Sequence, residues 1–143
     1  MSKSAYIKLV PASKQQSITL EELKELFFYY KELTAKTGEQ LNWQYSHAAF
    51  PYELEQKKEK EQWFYLKGQN ESYRYIIAGI SSRKLKTEEE EEQFEQYIQI
   101  VLPEGSTHGD KGKANEFCKF LAKQLQGELQ LFNGRTMYYY KRK

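Results

Sequence analysis

Cysteine is nearly missing from this sequence, and so are the other residues from which metal and redox sites are built. The 143 residues include one cysteine, two histidines and a single aspartate. The lone thiol, Cys118, cannot close an internal disulfide and suits a reducing compartment. Two histidines and one cysteine offer none of the ligand spacings of a zinc site. With Asp110 as the only aspartate, an EF-hand loop is absent as well. Neither a metal nor another cofactor is expected. Long hydrophobic stretches are lacking too, and no run approaches the roughly 18 apolar residues of a membrane span. The opening Met1-Ser2-Lys3-Ser4 leads into a strand-like segment rather than an apolar signal core. These features predict a cytoplasmic protein with no membrane partner. Net charge is small, +2, which argues against nucleic acid as a partner.

What the chain does have is rings. Aromatic residues make up 15% of it, with 12 Tyr and 8 Phe, far from the composition of a disordered chain. At this length one hydrophobic core is sustainable, so the chain reads as a single domain over residues 1–143. Its charge is uneven. Residues 105–143 carry eight basic side chains against three acids, net +5, and the rest carries 14 basic and 17 acidic residues, net −3. An anionic partner would therefore prefer the C-terminal third.

Periodicity predicts two helices and seven strands. A strand from Ala5 to Val10 ends at Pro11. Thr19 and Glu22 form a capping box before the first helix, with Ile18 and Leu23 as its hydrophobic staple. Leu20, Leu23, Phe27 and Tyr30 line one face of that helix, widened by Leu26 and Leu33, and Gly38 supplies its stop. Leu41, Trp43, Tyr45 and His47 alternate as a half-buried strand, whereas the polar stretch from Pro51 to Gln62 reads as a connection. Trp63–Lys67 and Ser72–Ser81 form a hairpin turning around Gly68–Glu71. The second of these strands is apolar on both faces, as in a strand that is central in its sheet or covered on both sides. The charged run Arg83–Gln93 reads as a solvated loop before a strand with Phe94, Ile98, Ile100 and Leu102. A loop from Glu104 to Gly112 precedes the second helix, whose stripe is Ala114, Phe117, Cys118, Leu121 and Leu125 and whose end is Gly127. Asn133-Gly134, the preferred pair of a type I′ turn, joins the last two strands. The order β-α-β-β-β-β-α-β-β predicts an α+β fold, a mostly antiparallel sheet with two main helices on one face.

No catalytic constellation can be assembled by spacing, so an enzyme is not expected. Cys118 lies on the buried stripe of its helix, where a thiol behaves as a small hydrophobe. His47 sits in an aromatic row, the place of a hydrogen-bonded core or rim residue. The segment Thr107-His108-Gly109-Asp110-Lys111-Gly112-Lys113 stands out. It is Gly-rich and basic, and free N–H groups at a helix start could hold a small anion through Thr107, His108, Gly109, Lys111, Gly112 and Lys113. It is not a P-loop, because Gly112-Lys113 is followed by Ala114. The competing reading is that Thr107 or Asp110 simply caps the helix. Met137-Tyr138-Tyr139-Tyr140-Lys141-Arg142-Lys143 interleaves rings with cations, but strand alternation and packing account for it.

Three stretches carry a wider resemblance: Ile18-Thr19-Leu20-Glu21-Glu22, the run Thr107–Cys118, and Leu131-Phe132-Asn133-Gly134-Arg135. Through them the chain resembles an uncharacterised family of small proteins from Bacillus-type bacteria, a domain of unknown function. The resemblance implies a compact α+β fold, distantly similar to the TATA-binding-protein-like arrangement, and carries no activity with it. Two functional expectations remain. One is a non-enzymatic binding or protein-interaction protein, self-associating through an aromatic sheet face. The other is a module that senses a small anion or nucleotide at the 107–113 segment.

Overall fold

A computed structural model describes residues 3–41, 50–56, 62–85 and 93–140. Strand β1 is Lys3–Lys8, helix α1 Leu20–Leu41, β2 Tyr52–Glu55, β3 Trp63–Asn70, β4 Tyr73–Leu85 and β5 Gln93–Leu102. Helix α2 spans His108–Leu125, followed by β6 Glu128–Gln130 and β7 Thr136–Tyr138. The seven strands form one sheet in the order β2-β3-β4-β5-β1-β6-β7, and every neighbouring pair is antiparallel. The expected α+β order is therefore observed, although one of its strands is a different segment. Leu41 belongs to α1, and the rest of the strand expected there, with His47, lies outside the described residues. Tyr52–Glu55, expected as connection, supplies β2 instead.

Alternation in the strands puts one set of side chains beneath the helices. Ala5, Ile7, Phe64, Leu66, Ile76, Ala78, Ile98, Ile100 and Leu129 are all fully buried there. Helix α1 starts as its cap predicts. The Glu22 N–H donates to Thr19 Oγ1 and the Thr19 N–H to Glu22 Oε1, both at 3.1 Å. The second bond holds the Glu22 carboxyl below its ordinary range. Leu23 and Phe27 are buried, and Phe27 meets Phe64 of the sheet and Phe117 of α2 edge-to-face, with centroids 5.8 and 5.5 Å apart. This junction of rings locks both helices onto the same face. Leu33, expected on that stripe, is exposed instead. The stop expected at Gly38 is overrun by three residues.

Three turn assignments also differ. Strand β3 runs through Gly68 to Asn70, and the hairpin turns at Glu71–Ser72, where Asn70 Oδ1 accepts the Ser72 N–H at 2.9 Å. The left-handed residue after α2 is Gln126, with φ 54°, one position before Gly127. At the last hairpin Asn133 has no positive φ, which excludes type I′. The Gly134 N–H donates to the Leu131 carbonyl at 2.9 Å, and Gly134 itself is left-handed with φ 87°. This is a three-residue loop, a turn of type I character followed by a left-handed glycine.

Candidate functional site

The segment singled out in the sequence is the start of α2 rather than a loop before it. Thr107 is the N-cap and His108 to Lys113 already lie in the helix. Thr107 Oγ1 accepts the Asp110 N–H at 3.0 Å, while Asp110 Oδ2 accepts the Thr107 N–H at 3.1 Å, a capping box with Asp in the usual Glu or Gln position. The Lys111 N–H bonds the Thr107 carbonyl at 3.1 Å. Lys113 is paired with Glu116 at 3.1 Å, and His108, Lys111 and Gly112 face solvent.

Asp110 does more than cap. Its side chain is fully buried, and it receives the Tyr52 hydroxyl of β2 at 2.6 Å and the Arg74 N–H of β4 at 3.0 and 3.1 Å. Burial, then the hydrogen bond to Asp110, push the Tyr52 phenol far above its ordinary value. One carboxylate thus ties β2, β4 and α2 together, and every group that reaches it is a donor. The β3–β4 turn closes on the same place, with Thr107 Oγ1 donating to the Ser72 carbonyl. Gly109 permits this approach, since a Cβ there would sit 2.6 Å from the Ser72 oxygen and 2.8 Å from the Tyr73 ring. The arrangement has the chemistry of a joint: donors from β2, β4 and the helix start fill both oxygens of one carboxylate.

Cys118 is buried, and burial pushes its thiol up to about 12, out of the range of a nucleophile at neutral pH. Among the described residues no three His, Cys, Asp or Glu side chains group as metal ligands would. No described helix is long and apolar enough to cross a membrane.

The second face of the sheet carries a cluster of rings. Tyr65, Ile77, Val101 and Ser4 stand in one cross-strand row, and Trp63, Gly79, Gln99 and Tyr6 in the next. Both helices pack on the opposite face, so no described helix covers these rows. Trp63 packs edge-to-face on Tyr65 at 5.0 Å, and Tyr65 on Tyr75 at 6.0 Å. Tyr75 is 42% exposed, and Trp63, Tyr65, Ile77 and Val101 are half-buried. A shallow depression of about 180 Å³ lies between Trp63, Ile77, Gln99 and Val101. The rim is charged and nearly balanced. Lys8 pairs with Glu128 at 3.5 Å and Arg83 with Glu95 at 3.0 Å, while Glu53 stands opposite Lys67 and Glu55 opposite Tyr65. The apolar residues on both faces of the strand expected over Ser72–Ser81 predict a central or doubly covered strand; β4 is central, between β3 and β5, and its second face is the one no described helix covers.

No curated protein matches the chain. A crystal structure titled as a protein of unknown function from Bacillus stearothermophilus is similar to it, at 45% identity over 90% of this chain and 93% of that one, with a TM-score of 0.54. Residues 3–141 match the family model described as domain of unknown function DUF1885. With essentially its whole length matched, the chain belongs to the DUF1885 family.

Proposed function

We propose that this protein is a non-enzymatic, cytoplasmic interaction protein that associates with a second copy of itself through the open face of the sheet. The observation that carries this reading is the patch of Trp63, Tyr65, Tyr75, Ile77 and Val101, an aromatic and aliphatic centre without charge, set inside a charged rim. Charge depletion at the centre with Trp and Tyr enriched is the anatomy of a protein interface. The rim favours a second copy in particular. Lys8, Lys67 and Arg83 stand against Glu53, Glu55, Glu95 and Glu128, so the described residues of the face carry almost no net charge. A face of one sign would repel its own image across a twofold axis, and a balanced one does not.

The non-enzymatic part rests on the chemistry of the titratable groups. The one thiol is buried and protonated, and the one aspartate is engaged by three parts of the protein's own chain. The rival reading, a small anion held by Thr107, His108, Gly109, Lys111, Gly112 and Lys113, has less support. The capping box already uses the Thr107 and Asp110 N–H groups, and the Asp110 carboxylate already puts a negative charge at this helix start. Light scattering after size exclusion tests the proposal. The wild type should show twice the chain mass at high micromolar concentration, and Ile77→Lys should stay at the single-chain mass with an unchanged far-UV spectrum. A wild type of single-chain mass throughout that range rules the second copy out.

A further inference from the structure

We propose that the corner of the open sheet face formed by Tyr6, Lys8, Arg83, Tyr97 and Gln130 is a binding site for a planar anion of the nucleoside-phosphate class. These five residues line a depression of about 190 Å³, built across β4, β5, β1 and β6. Register brings them together: Lys8 stands opposite Tyr97, and Tyr6 opposite Gln130. Tyr6 and Tyr97 meet edge-to-face at 5.5 Å and 74°, which leaves the faces of the edge-on ring uncovered by its partner. An open ring face is a stacking platform for a flat heteroaromatic group.

The placement of paired charges, rather than a net charge, favours an anion. Two cations line the depression, and their acidic partners, Glu128 for Lys8 and Glu95 for Arg83, do not. Glu95 engages Nε and Nη2 of Arg83, so the remaining edge of the guanidinium can serve a ligand oxygen. Arg83 is half exposed, so a ligand can reach it from solvent. Gln130 adds an amide that both donates and accepts, as the edge of a nucleobase requires. The volume sets the mode of binding. It falls below that of sites enclosing a drug-sized ligand, so a base ring fills it while ribose and phosphate stay at the rim beside Arg83. Lys8 and Arg83 also belong to the rim of the Trp63–Val101 patch, so the site is tested on the single chain, where that rim is open.

Amide shifts followed by NMR during titration with adenosine 5′-monophosphate test the site, with adenosine and ribose 5-phosphate as partial ligands. The samples are kept dilute, and their mass is measured alongside. The monophosphate should shift the Tyr6, Lys8, Tyr97 and Gln130 amides saturably, and each partial ligand should bind about tenfold more weakly. Arg83→Gln should weaken binding by about tenfold. Tyr97→Leu should weaken it for the monophosphate but not for ribose 5-phosphate. Spectra of both variants should be unchanged away from the corner. Added salt should lower the affinity. The assignment is overturned if these four amides stay still at about 10 mM monophosphate, well past the millimolar range of the weakest specific sites. It is equally overturned if ribose 5-phosphate matches the monophosphate, which is adventitious anion binding, or if only a single-stranded oligonucleotide binds, which is a strand track rather than a nucleotide site.

Discussion

Replacing Asp110 by Asn changes one atom at the joint between helix and sheet, and the structure sets what this should cost. Asp110 Oδ1 accepts from Tyr52 and Arg74, and Oδ2 from Arg74 and Thr107. An amide keeps one oxygen and turns the other into a donor. Placed at Oδ2, the NH2 faces the Thr107 and Arg74 N–H groups; placed at Oδ1, it can donate to the Tyr52 oxygen, but the Tyr52 proton then loses its acceptor. One hydrogen bond to a charged group is lost in either orientation, roughly 1.5–3 kcal/mol. The negative charge at the N-terminus of α2 disappears as well, roughly 0.3–1 kcal/mol. The total is about 2–4 kcal/mol. Urea unfolding at pH 7 should show it as a midpoint lowered by roughly 1–2 M with an unchanged slope. Tyr52→Phe should cost less, about 1–2 kcal/mol, because Arg74 still serves the freed oxygen. The double variant should lose less than the sum of the two, since both act on one network. An Asp110→Asn protein within about 0.5 kcal/mol of wild type, the scatter of neutral surface changes, would refute the carboxylate as a joint.

Other consequences are more local. Gly134→Val should lower stability by about 1–2 kcal/mol, because a β-branched residue at φ 87° is strained, and thermal melting reads the loss. Gly109→Ala should lower the melting temperature and loosen the β3–β4 turn, since its Cβ would enter the Ser72 carbonyl; faster amide exchange at Ser72 and Tyr73 is the readout. A thiol reagent should label Cys118 slowly in the native protein and fast in urea. Burial raises the folded-state values of Cys118, from 9.0 to about 12, and of Tyr52. Folded protein therefore holds protons that unfolded protein has released, and their stabilisation is complete below pH 9 and lost as pH climbs from 9 toward 12. Tyr52→Phe should flatten that alkaline loss, measured as midpoint against pH.

The sequence made the caps and core stripes of this fold legible, but its ambiguous residues hid other features. Thr19 and Glu22 announce α1 because the pair has one common use, reciprocal satisfaction of two N–H groups. Thr107 is legible as a cap of α2, but its reciprocal box with Asp110 is hidden by the shorter acid and by Gly109 and Gly112, which read as a loop. Gly109 is in the helix for another reason, the close approach of Ser72. At Gly38 the cost of a mid-helix glycine, about 1 kcal/mol against alanine, does not end α1. Strand β2 escaped notice since Tyr52 and Leu54 are only two alternating apolar residues inside an acidic, lysine-rich stretch. Their places are fixed by distant partners, Asp110 for Tyr52 and the β3 ladder for both. The open face is legible only in part. Apolar residues on both sides of β4 state that neither side is indifferent to water, yet not whether the cover comes from the same chain.

Hydroxyl-radical footprinting of side chains, compared between dilute and concentrated protein, tests the role of the open face most directly. It reports which surface closes, and the molecule has a built-in control. Phe28 and Tyr29, 55% and 44% exposed on α1, form the competing apolar surface on the helical side. Association through the sheet predicts that Trp63, Tyr65 and Tyr75 become protected as concentration rises while Phe28 and Tyr29 keep their reactivity. Protection of Phe28 and Tyr29 instead, or unchanged oxidation of Trp63, Tyr65 and Tyr75 in a sample whose mass has doubled, would contradict it.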